Sequence, residues 1–473
     1  MAAPQSPLEK SQYHHFIPQF ILRNFAHKYR PPRGKGPAKR NSNWGHSQRK
    51  TGLRPGEPAL HIIDLSSDNP DLLESPIRRT FGLMDMYRDF SKDSDQNYLE
   101  NELSKLESEA ARIISKIRKA FDSGDQAVWI SRNERNILRK FLFIMKYRGK
   151  NFHKRFVNGE MESYVEDDRE QFLKYMRENG FRKPVDVWIH SIKVILELKM
   201  DHMGKWMKNI INQIYPDDAM WFITHTEWMY LALCTPSDTD REFLLTENCY
   251  NVFEGPQSAM VDPISGERRF TAWTNFHEFS PISPKLVMVL RSVVLPNSEE
   301  DKNKRIKEWR ENLFKLSAGM HANPSIANSV LADLPIHKPR NSYSSVTSHG
   351  IELFEGEDGS RRDCHRFCFP FFKLNTEHVN KINTIFLENA YTCQSVAFNS
   401  RSALRIAVEY YLTLPADQGF KFVAQGNGLD LSYLLKLEKI LRKLGSDKAL
   451  TYFISTAGHI SVPGHPSDKI DLH

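Results

Sequence analysis

The stretch that decides the fold at the start of this chain reads His14-His15-Phe16-Ile17-Pro18-Gln19-Phe20-Ile21-Leu22-Arg23-Asn24-Phe25. It places two adjacent imidazoles before a helix that starts at a proline, because proline fixes its own φ angle and fits the first helical turn. The partial positive charge of a helix N-terminus disfavours the imidazolium form. The pattern therefore predicts neutral imidazoles at pH 7, which is the form that a metal ligand or a general base requires.

Two interpretations of this stretch stay open. In the first, His14 and His15 bind a divalent metal ion or act as a base, and Arg23 holds a phosphate or carboxylate in bidentate fashion. Glu247 or Asp262 would then supply a further oxygen ligand. In the second, the apolar residues of the stretch fill a core, and the imidazoles form hydrogen bonds with backbone carbonyls. The candidate residues are His14, His15 and Arg23 for catalysis, His14 and His15 for metal binding, and Arg23, Asn24, Glu247 and Asn248 for ligand binding.

Length and composition indicate a soluble globular protein with two or three packed units, since the chain has 473 residues of which 40% are hydrophobic and 26% charged. No apolar run reaches the roughly 18 residues of a membrane span. The first twelve residues lack the apolar core of a secretory signal. Five cysteines form a sparse, odd-numbered set that is typical of reduced thiols. We therefore expect an intracellular protein, cytoplasmic or nuclear, that is not secreted and does not enter a membrane.

The basic charge of the chain is local. Nine Lys and Arg side chains and no acidic ones lie between Lys28 and Arg54, so removing them from the net charge of +7 leaves −2 for the rest of the chain. The segment is rich in Pro and Gly, which predicts a disordered insert over residues 28–56. Such an arm could bind nucleic acid or an acidic partner, with an affinity that falls as salt rises. It could equally be a nuclear-import patch or a solvated insertion.

Hydrophobic periodicity predicts the main elements. Apolar residues at three- and four-residue steps predict a helix from Leu99 to Phe121. Ser131 and Glu134 form a capping box at the start of the next helix. Near-continuous apolar runs such as Leu286-Val287-Met288-Val289-Leu290 predict a buried sheet. The fold class is therefore α+β, mainly helical, with a central antiparallel or mixed sheet in the middle third.

The same patterns predict a division of the chain into five segments. These are a flexible N-terminus (1–12), a mainly helical N-terminal region that contains the basic insert (13–215), a sheet-forming region (216–295), a helical C-terminal region (296–415) and a C-terminal extension (416–473).

The opening stretch resembles the signature of the domain-of-unknown-function family 4238. Further pieces agree with that family in type and order: the acidic helix from Leu99, the helix at Asn133-Glu134-Arg135 and the helix at Val379-Asn380-Lys381-Ile382-Asn383. The resemblance spans the chain from His14 to about Leu414. It implies no activity and no cofactor, because the family has no established one.

These observations leave two hypotheses of function. The first is a non-catalytic binding or scaffold module in which the His-Pro motif is structural and the basic insert recruits a partner. The alternative is a metal-assisted hydrolase that acts on a phosphate ester or on nucleic acid through His14 and His15. A divalent metal ion is the cofactor that this second hypothesis requires, and the sequence alone does not decide whether the protein is an enzyme.

Overall fold

The computed structural model of the chain describes residues 11–31, 52–88, 96–157, 159–164, 166–261, 268–414, 422–424, 428–448, 453–455 and 461–462. Three sequence predictions lie wholly or largely outside these residues: the flexible N-terminus up to residue 10, the basic insert from residue 32 to 51, and Asp262 as an oxygen ligand.

The N-terminal part of the chain alternates short strands with one short helix. Its elements are β1 (Tyr13–His15), α1 (Gln19–Phe25), β2 (His27–Lys28), β3 (Pro58–Asp64), β4 (Asp71–Pro76) and β5 (Gly82–Met84). Pro18 stands directly before α1, and its carbonyl accepts the first helical hydrogen bonds, from the backbone N–H groups of Ile21 and Leu22. The apolar face of α1 is buried. The opening stretch therefore places a strand and a helix against the core.

A helical region follows. Its elements are α2 (Tyr98–Asp122), β6 (Ala127–Ser131), α3 (Arg132–Tyr147), α4 (Lys150–His153), α5 (Arg169–Asn179), α6 (Pro184–Glu197), α7 (Trp206–Ile211) and α8 (Pro216–Glu227). The capping box at the start of α3 is present, with the Ser131 side chain accepting from the Glu134 backbone N–H and the Glu134 carboxylate accepting in return. Prolines occupy the first turns of α6 and α8, where their missing N–H has no helical partner to lose.

The second half of the chain mixes strands and helices. Its elements are β7 (Met229–Pro236), β8 (Leu245–Thr246), β9 (Phe253–Glu254), β10 (Gln257–Val261), β11 (Arg268–Trp273), β12 (His277–Ser283), β13 (Leu286–Ser292), α9 (Lys304–Ala318), β14 (Arg340–Asn341), β15 (Ser344–Val346), β16 (Ile351–Leu353), β17 (Arg366–Leu374), α10 (Thr376–Glu388), β18 (Ser395–Phe398), α11 (Arg401–Thr413), β19 (Phe422–Ala424), α12 (Gly428–Lys443), β20 (Phe453–Ser455) and β21 (Ser461–Val462). Among the helices in the described part of the chain, none has the length and apolar character needed to cross a bilayer.

Two sheets organise the molecule. The larger runs in the order β14-β17-β7-β13-β12-β9, with β6 also paired to β17, and it is mixed because β17 is parallel to β7 while its other pairs are antiparallel. The smaller runs in the order β2-β3-β18-β8 with β4 paired to the other edge of β3, and all its pairs are antiparallel. The chain positions of these strands differ widely, so both sheets depend on contacts between distant segments.

Strand β3 separates two hydrophobic clusters. Leu60 and Ile62 belong to the larger cluster, which also contains the apolar faces of α2, α3 and the large sheet. Ile63 and Leu65 belong to the smaller cluster, which is built with α11 and α12. The separation follows from the strand geometry, since successive side chains point to opposite faces.

The predicted α+β class is confirmed. The larger sheet is not confined to the middle third, because β6 comes from the helical N-terminal half and β14 and β17 come from the later part of the chain. Strand β17 carries the Phe-rich run between residues 367 and 372, and its consecutive buried residues Phe367, Cys368 and Phe369 suit a strand that is covered on both faces. Its partner strands β6, β7 and β14 are far away in the sequence, and no local sequence pattern predicts this pairing.

Candidate metal centre

His14 is part of the protein core. Its ring is buried and stacks on Tyr87 with the ring centroids 5.3 Å apart. Its Nδ1 accepts a hydrogen bond of 3.1 Å from the Tyr87 backbone N–H, and its Nε2 has no hydrogen-bond partner among the described residues. Burial lowers the pKa of His14, which keeps the ring neutral at pH 7.

His15 follows His14 in β1, so the two side chains point to opposite faces of the strand. The His15 Nδ1 donates to the Thr80 carbonyl at 3.0 Å, and its Nε2 accepts from the Gln19 side-chain amide at 3.1 Å. Burial lowers its pKa as well. Both ring nitrogens of His15 are therefore engaged, and the structure does not bring the two imidazoles together.

Arg23 and Asn24 lie on α1, but Arg23 forms a hydrogen bond within its own helix whereas Asn24 contacts other elements. Arg23 is exposed and donates to the Gln19 side-chain carbonyl at 3.2 Å. The Asn24 amide donates to the Ile282 carbonyl at 2.7 Å, and its oxygen accepts from Arg118. Asn24 therefore fastens α1 to the large sheet and to α2.

Glu247 and Asn248 form the turn after β8. The Glu247 carboxylate accepts from the Lys150 ammonium at 3.1 Å and from the Ser395 hydroxyl at 3.1 Å. The Asn248 amide donates to the Asn389 carbonyl. In the described part of the chain, neither residue joins His14 or His15 in a group of side chains close enough to share a metal ion.

Such a group exists elsewhere. Within the described ranges, the group of three or more His, Cys, Asp or Glu residues that could share a metal ion consists of His27, His61 and Glu74, whose ligand atoms lie within 4.8 Å of one another. They come from β2, β3 and β4, which are neighbours in the smaller sheet. His27 pairs with Ala59 and Glu74 pairs with His61. Since Ala59 and His61 are two residues apart on β3, all three ligand side chains share one face of the sheet.

The geometry of this cluster is compact and open to solvent on one side. The His27 Nε2 lies 2.6 Å from Glu74 Oε1, and the His61 Nε2 lies 3.9 Å from the same oxygen. The two imidazole centroids are 4.0 Å apart. The side chains are 31%, 36% and 36% exposed for His27, His61 and Glu74, so a ligand can reach the cluster from outside.

The orientation of His61 is fixed by its second nitrogen. The His61 Nδ1 lies 3.0 Å from the Asn399 carbonyl, which can only accept, so Nδ1 carries the proton. When the ring is neutral, its lone pair is on Nε2, and this atom faces the Glu74 carboxylate across 3.9 Å. Two acceptors at that separation suit a shared cation, because metal bonds of about 2.1 Å each leave ligand atoms up to roughly 4 Å apart.

The surroundings of His61 hold this orientation. The Phe398 ring lies 5.5 Å from the His61 ring, centroid to centroid. The Asn399 amide donates to Glu242 at 2.9 Å, and the Ser400 backbone N–H donates to the same carboxylate at 3.0 Å. A carbonyl that receives the distal N–H of a histidine is the usual outer support of a metal-binding imidazole.

Sequence reasoning missed His27, His61 and Glu74. His61 is the one imidazole within the apolar run Ala59–Leu65, which is a weak local signal. Its partners stand 34 residues before it, across the basic insert, and 13 residues after it. Only the register of three antiparallel strands brings them together.

Comparison with known proteins gives a family and no closer relative. No curated protein and no solved structure shows detectable similarity to the chain. The model of the family described as "Protein of unknown function (DUF4238)" matches residues 13–402, which is most of the chain. This agrees with the resemblance seen in the opening stretch, and the chain belongs to this family.

Proposed function

We propose that the protein binds a divalent metal ion through His27, His61 and Glu74, and that it is a metal-assisted hydrolase of phosphate esters or nucleic acid. The observation that carries the proposal is the His61 ring. Its Nδ1–H is committed to the Asn399 carbonyl, so the neutral imidazole has its lone pair on Nε2, and this atom lies 3.9 Å from a carboxylate oxygen of Glu74.

The donor set suits a catalytic ion better than a closed structural one. Two imidazoles and one carboxylate leave at least one coordination position for water or substrate. A divalent ion in such a site supplies an acidified water and polarises a phosphoryl oxygen. The His27 Nε2 that now approaches Glu74 has to give up its proton, to solvent or to Nδ1, before it can become a ligand.

The position of the basic insert supports a phosphate-containing substrate. The chain leaves the smaller sheet at Lys28, directly after the ligand His27, and returns to it at Pro58. The base of the insert is closed by hydrogen bonds of 2.9 Å from the Tyr29 N–H to the Glu57 carbonyl and from the Gly56 N–H to the Tyr29 carbonyl. The described ends of this basic segment, at Lys28 and Arg54, therefore lie next to β2 and β3, and phosphodiesters attract such charges.

A second candidate function is a non-catalytic binding or scaffold module. The hydrogen bonds of His14 and His15 favour it, since they are those of an architectural motif. In this case the ion at His27, His61 and Glu74 would join three strands, and the basic insert would recruit nucleic acid or an acidic partner.

Elemental analysis and zinc and manganese titration of the full chain test the proposal, together with His61→Gln and Glu74→Gln. The matched control is His202→Gln. His202 also pairs with a carboxylate, that of Asp363 at 3.2 Å, without forming a group of three with other described residues. We expect about one ion per chain in the wild type and the control, and its loss in the two ligand variants.

A second control separates this cluster from the opening motif. The double variant His14→Gln/His15→Gln should keep its metal ion while losing stability. Metal-dependent cleavage of bis(p-nitrophenyl) phosphate or of nucleic acid, absent in His61→Gln, would support the hydrolase. An ion that stabilises the chain without any cleavage would favour the scaffold, and a wild type that binds neither zinc nor manganese would refute the metal centre.

A further inference from the structure

Three arginines lie along one face of α3. Arg132, Arg135 and Arg139 follow one another at spacings of three and four residues, which brings them to the same side of a helix. A basic helix face is ordinarily solvated, yet here Arg132 and Arg139 are buried and Arg135 is half-buried. The protein therefore holds three guanidinium groups close to one another and largely out of water.

Arg132 forms two hydrogen bonds to the segment before β17. Its Nε donates to the Arg362 carbonyl at 2.8 Å, and its Nη2 donates to the His365 Nδ1 at 3.1 Å. The other nitrogen of His365 lies 3.3 Å from the Glu357 carboxylate. Arg132 thus anchors the segment that precedes β17 and forms one wall of the cluster.

Arg135 has no such partners. Its guanidinium carbon lies 4.0 Å from the centroid of the Phe367 ring, on which it stacks. Its Nε is buried without a hydrogen bond, and the guanidinium forms no ion pair with any residue in the described ranges. Burial lowers the pKa of Arg135 well below its usual range, and the neighbouring Arg139 and Arg132 lower it further. An unpaired cation in this setting is costly for the folded state.

The nearby negative charge is too small to compensate. Arg139 reaches Glu227 only at 3.9 Å, donates to the Met229 carbonyl at 3.4 Å, and has a buried Nε without a partner among the described residues. The same Glu227 lies 4.0 Å from Arg361. One carboxylate thus faces two guanidinium groups, those of Arg139 and Arg361, at distances longer than a hydrogen bond.

We propose that this arginine cluster is a binding site for an oxyanion, a phosphoryl or carboxylate group, which pairs with Arg135 between Arg132 and Arg139. A guanidinium presents parallel N–H groups that match two oxygens of such an anion. The Phe367 ring below Arg135 leaves the edge of the guanidinium as its hydrogen-bonding side. The inference does not depend on the metal centre.

Titration calorimetry with inorganic phosphate and thermal unfolding of the full chain test this site. Both use protein from which metal ions have been removed on a chelating resin, at constant ionic strength set by chloride, so that an ion at His27, His61 and Glu74 contributes nothing. The variant is Arg135→Gln, and the matched control is Arg177→Gln, which changes an exposed arginine on α5. Arg135→Met, which keeps the apolar contact with Phe367, replaces the first variant if that variant fails to fold. Acetate in place of phosphate distinguishes a carboxylate from a phosphoryl ligand.

We expect phosphate or acetate to bind the wild type and Arg177→Gln and to raise their melting temperatures. Arg135→Gln should bind about tenfold more weakly or worse, since a charge-assisted hydrogen bond is lost. In the same buffer without phosphate or acetate, this variant should melt at or above the wild-type temperature, because it removes an unpaired charge. Equal binding by Arg135→Gln, or no binding of either anion by the wild type, would overturn the proposal.

Discussion

The ion pair between Lys146 and Glu278 allows a quantitative prediction. Lys146 on α3 places its Nζ 2.7 and 2.8 Å from the two oxygens of Glu278 on β12, and the side chains are only 4% and 6% exposed. The carboxylate is also approached by His225 Nδ1 at 3.1 Å and by the Asn275 amide at 2.6 Å. The pair therefore joins a helix to the large sheet in the interior.

Glu278→Gln removes the only full negative charge that these contacts give Lys146 and leaves its ammonium buried. We expect the free energy of unfolding to fall by about 3–5 kcal/mol, and by a similar amount for Lys146→Met. The double variant Lys146→Met/Glu278→Gln removes both charges, so its loss should be far smaller than the sum of the two.

The pair should also make stability depend on pH. Burial alone would raise the pKa of Glu278, but the Lys146 ammonium and His225 lower it well below its ordinary value. A carboxyl group whose pKa is lower in the folded than in the unfolded chain stabilises the fold above the unfolded value of about 4.3. That stabilisation is lost as the pH falls from there toward the folded pKa.

Urea unfolding of the wild type, both single variants and the double variant, at neutral pH, measures the coupling directly. Losses under about 1 kcal/mol in the single variants, or losses that simply add in the double variant, would refute the reasoning. In that case the pair would have to be accessible to water.

Two further predictions concern a histidine and a glycine. Burial lowers the pKa of His153 to about 4, whereas its pKa in the unfolded chain is about 6.5. Between pH 6.5 and 4 the unfolded chain therefore binds the proton more readily, and the free energy of unfolding should fall by up to about 3 kcal/mol. Thermal unfolding of His153→Phe should show a shallower decline of stability with falling pH, and an unchanged decline would contradict this. Gly255 has a φ of +155°, and an added Cβ would lie 1.9 Å from the Thr274 carbonyl oxygen, so Gly255→Ala should lower the melting temperature strongly. Gly124→Ala, where φ is +81° and the space is open, should lower the free energy of unfolding by only about 1–2 kcal/mol. Equal effects of the two changes would show that backbone movement relieves the clash at Gly255.

Local sequence signals predicted the elements that depend on neighbouring residues. The apolar stripe of α2 and the capping box of α3 both depend on residues a few positions apart, and the structure contains each of them. The apolar run of β13 was likewise recognisable as a buried strand. Strand β17 was missed because its partners β6, β7 and β14 lie far away in the chain.

The residues of the candidate site were even harder to predict from the sequence, because they come together only through strand pairing. Adjacent imidazoles attract notice in a sequence, but adjacency within a strand sends His14 and His15 to opposite faces. His27, His61 and Glu74 are unremarkable by position and meet only through strand register. The cluster can be recognised only once the pairing of β2, β3 and β4 is known.

Because the Asn399 carbonyl orients His61, the cluster cannot be completed until late in the synthesis of the chain. Asn399 lies 338 positions after His61 in the chain. At about 5–20 residues per second, a ribosome needs roughly 20 to 70 s to travel that far. During this interval β3 lacks β18 on one edge, and His61 is not yet held by Asn399. The cluster proposed to bind an ion is therefore complete only after β18 has emerged, and until then β3 presents an open edge that chaperones are suited to cover.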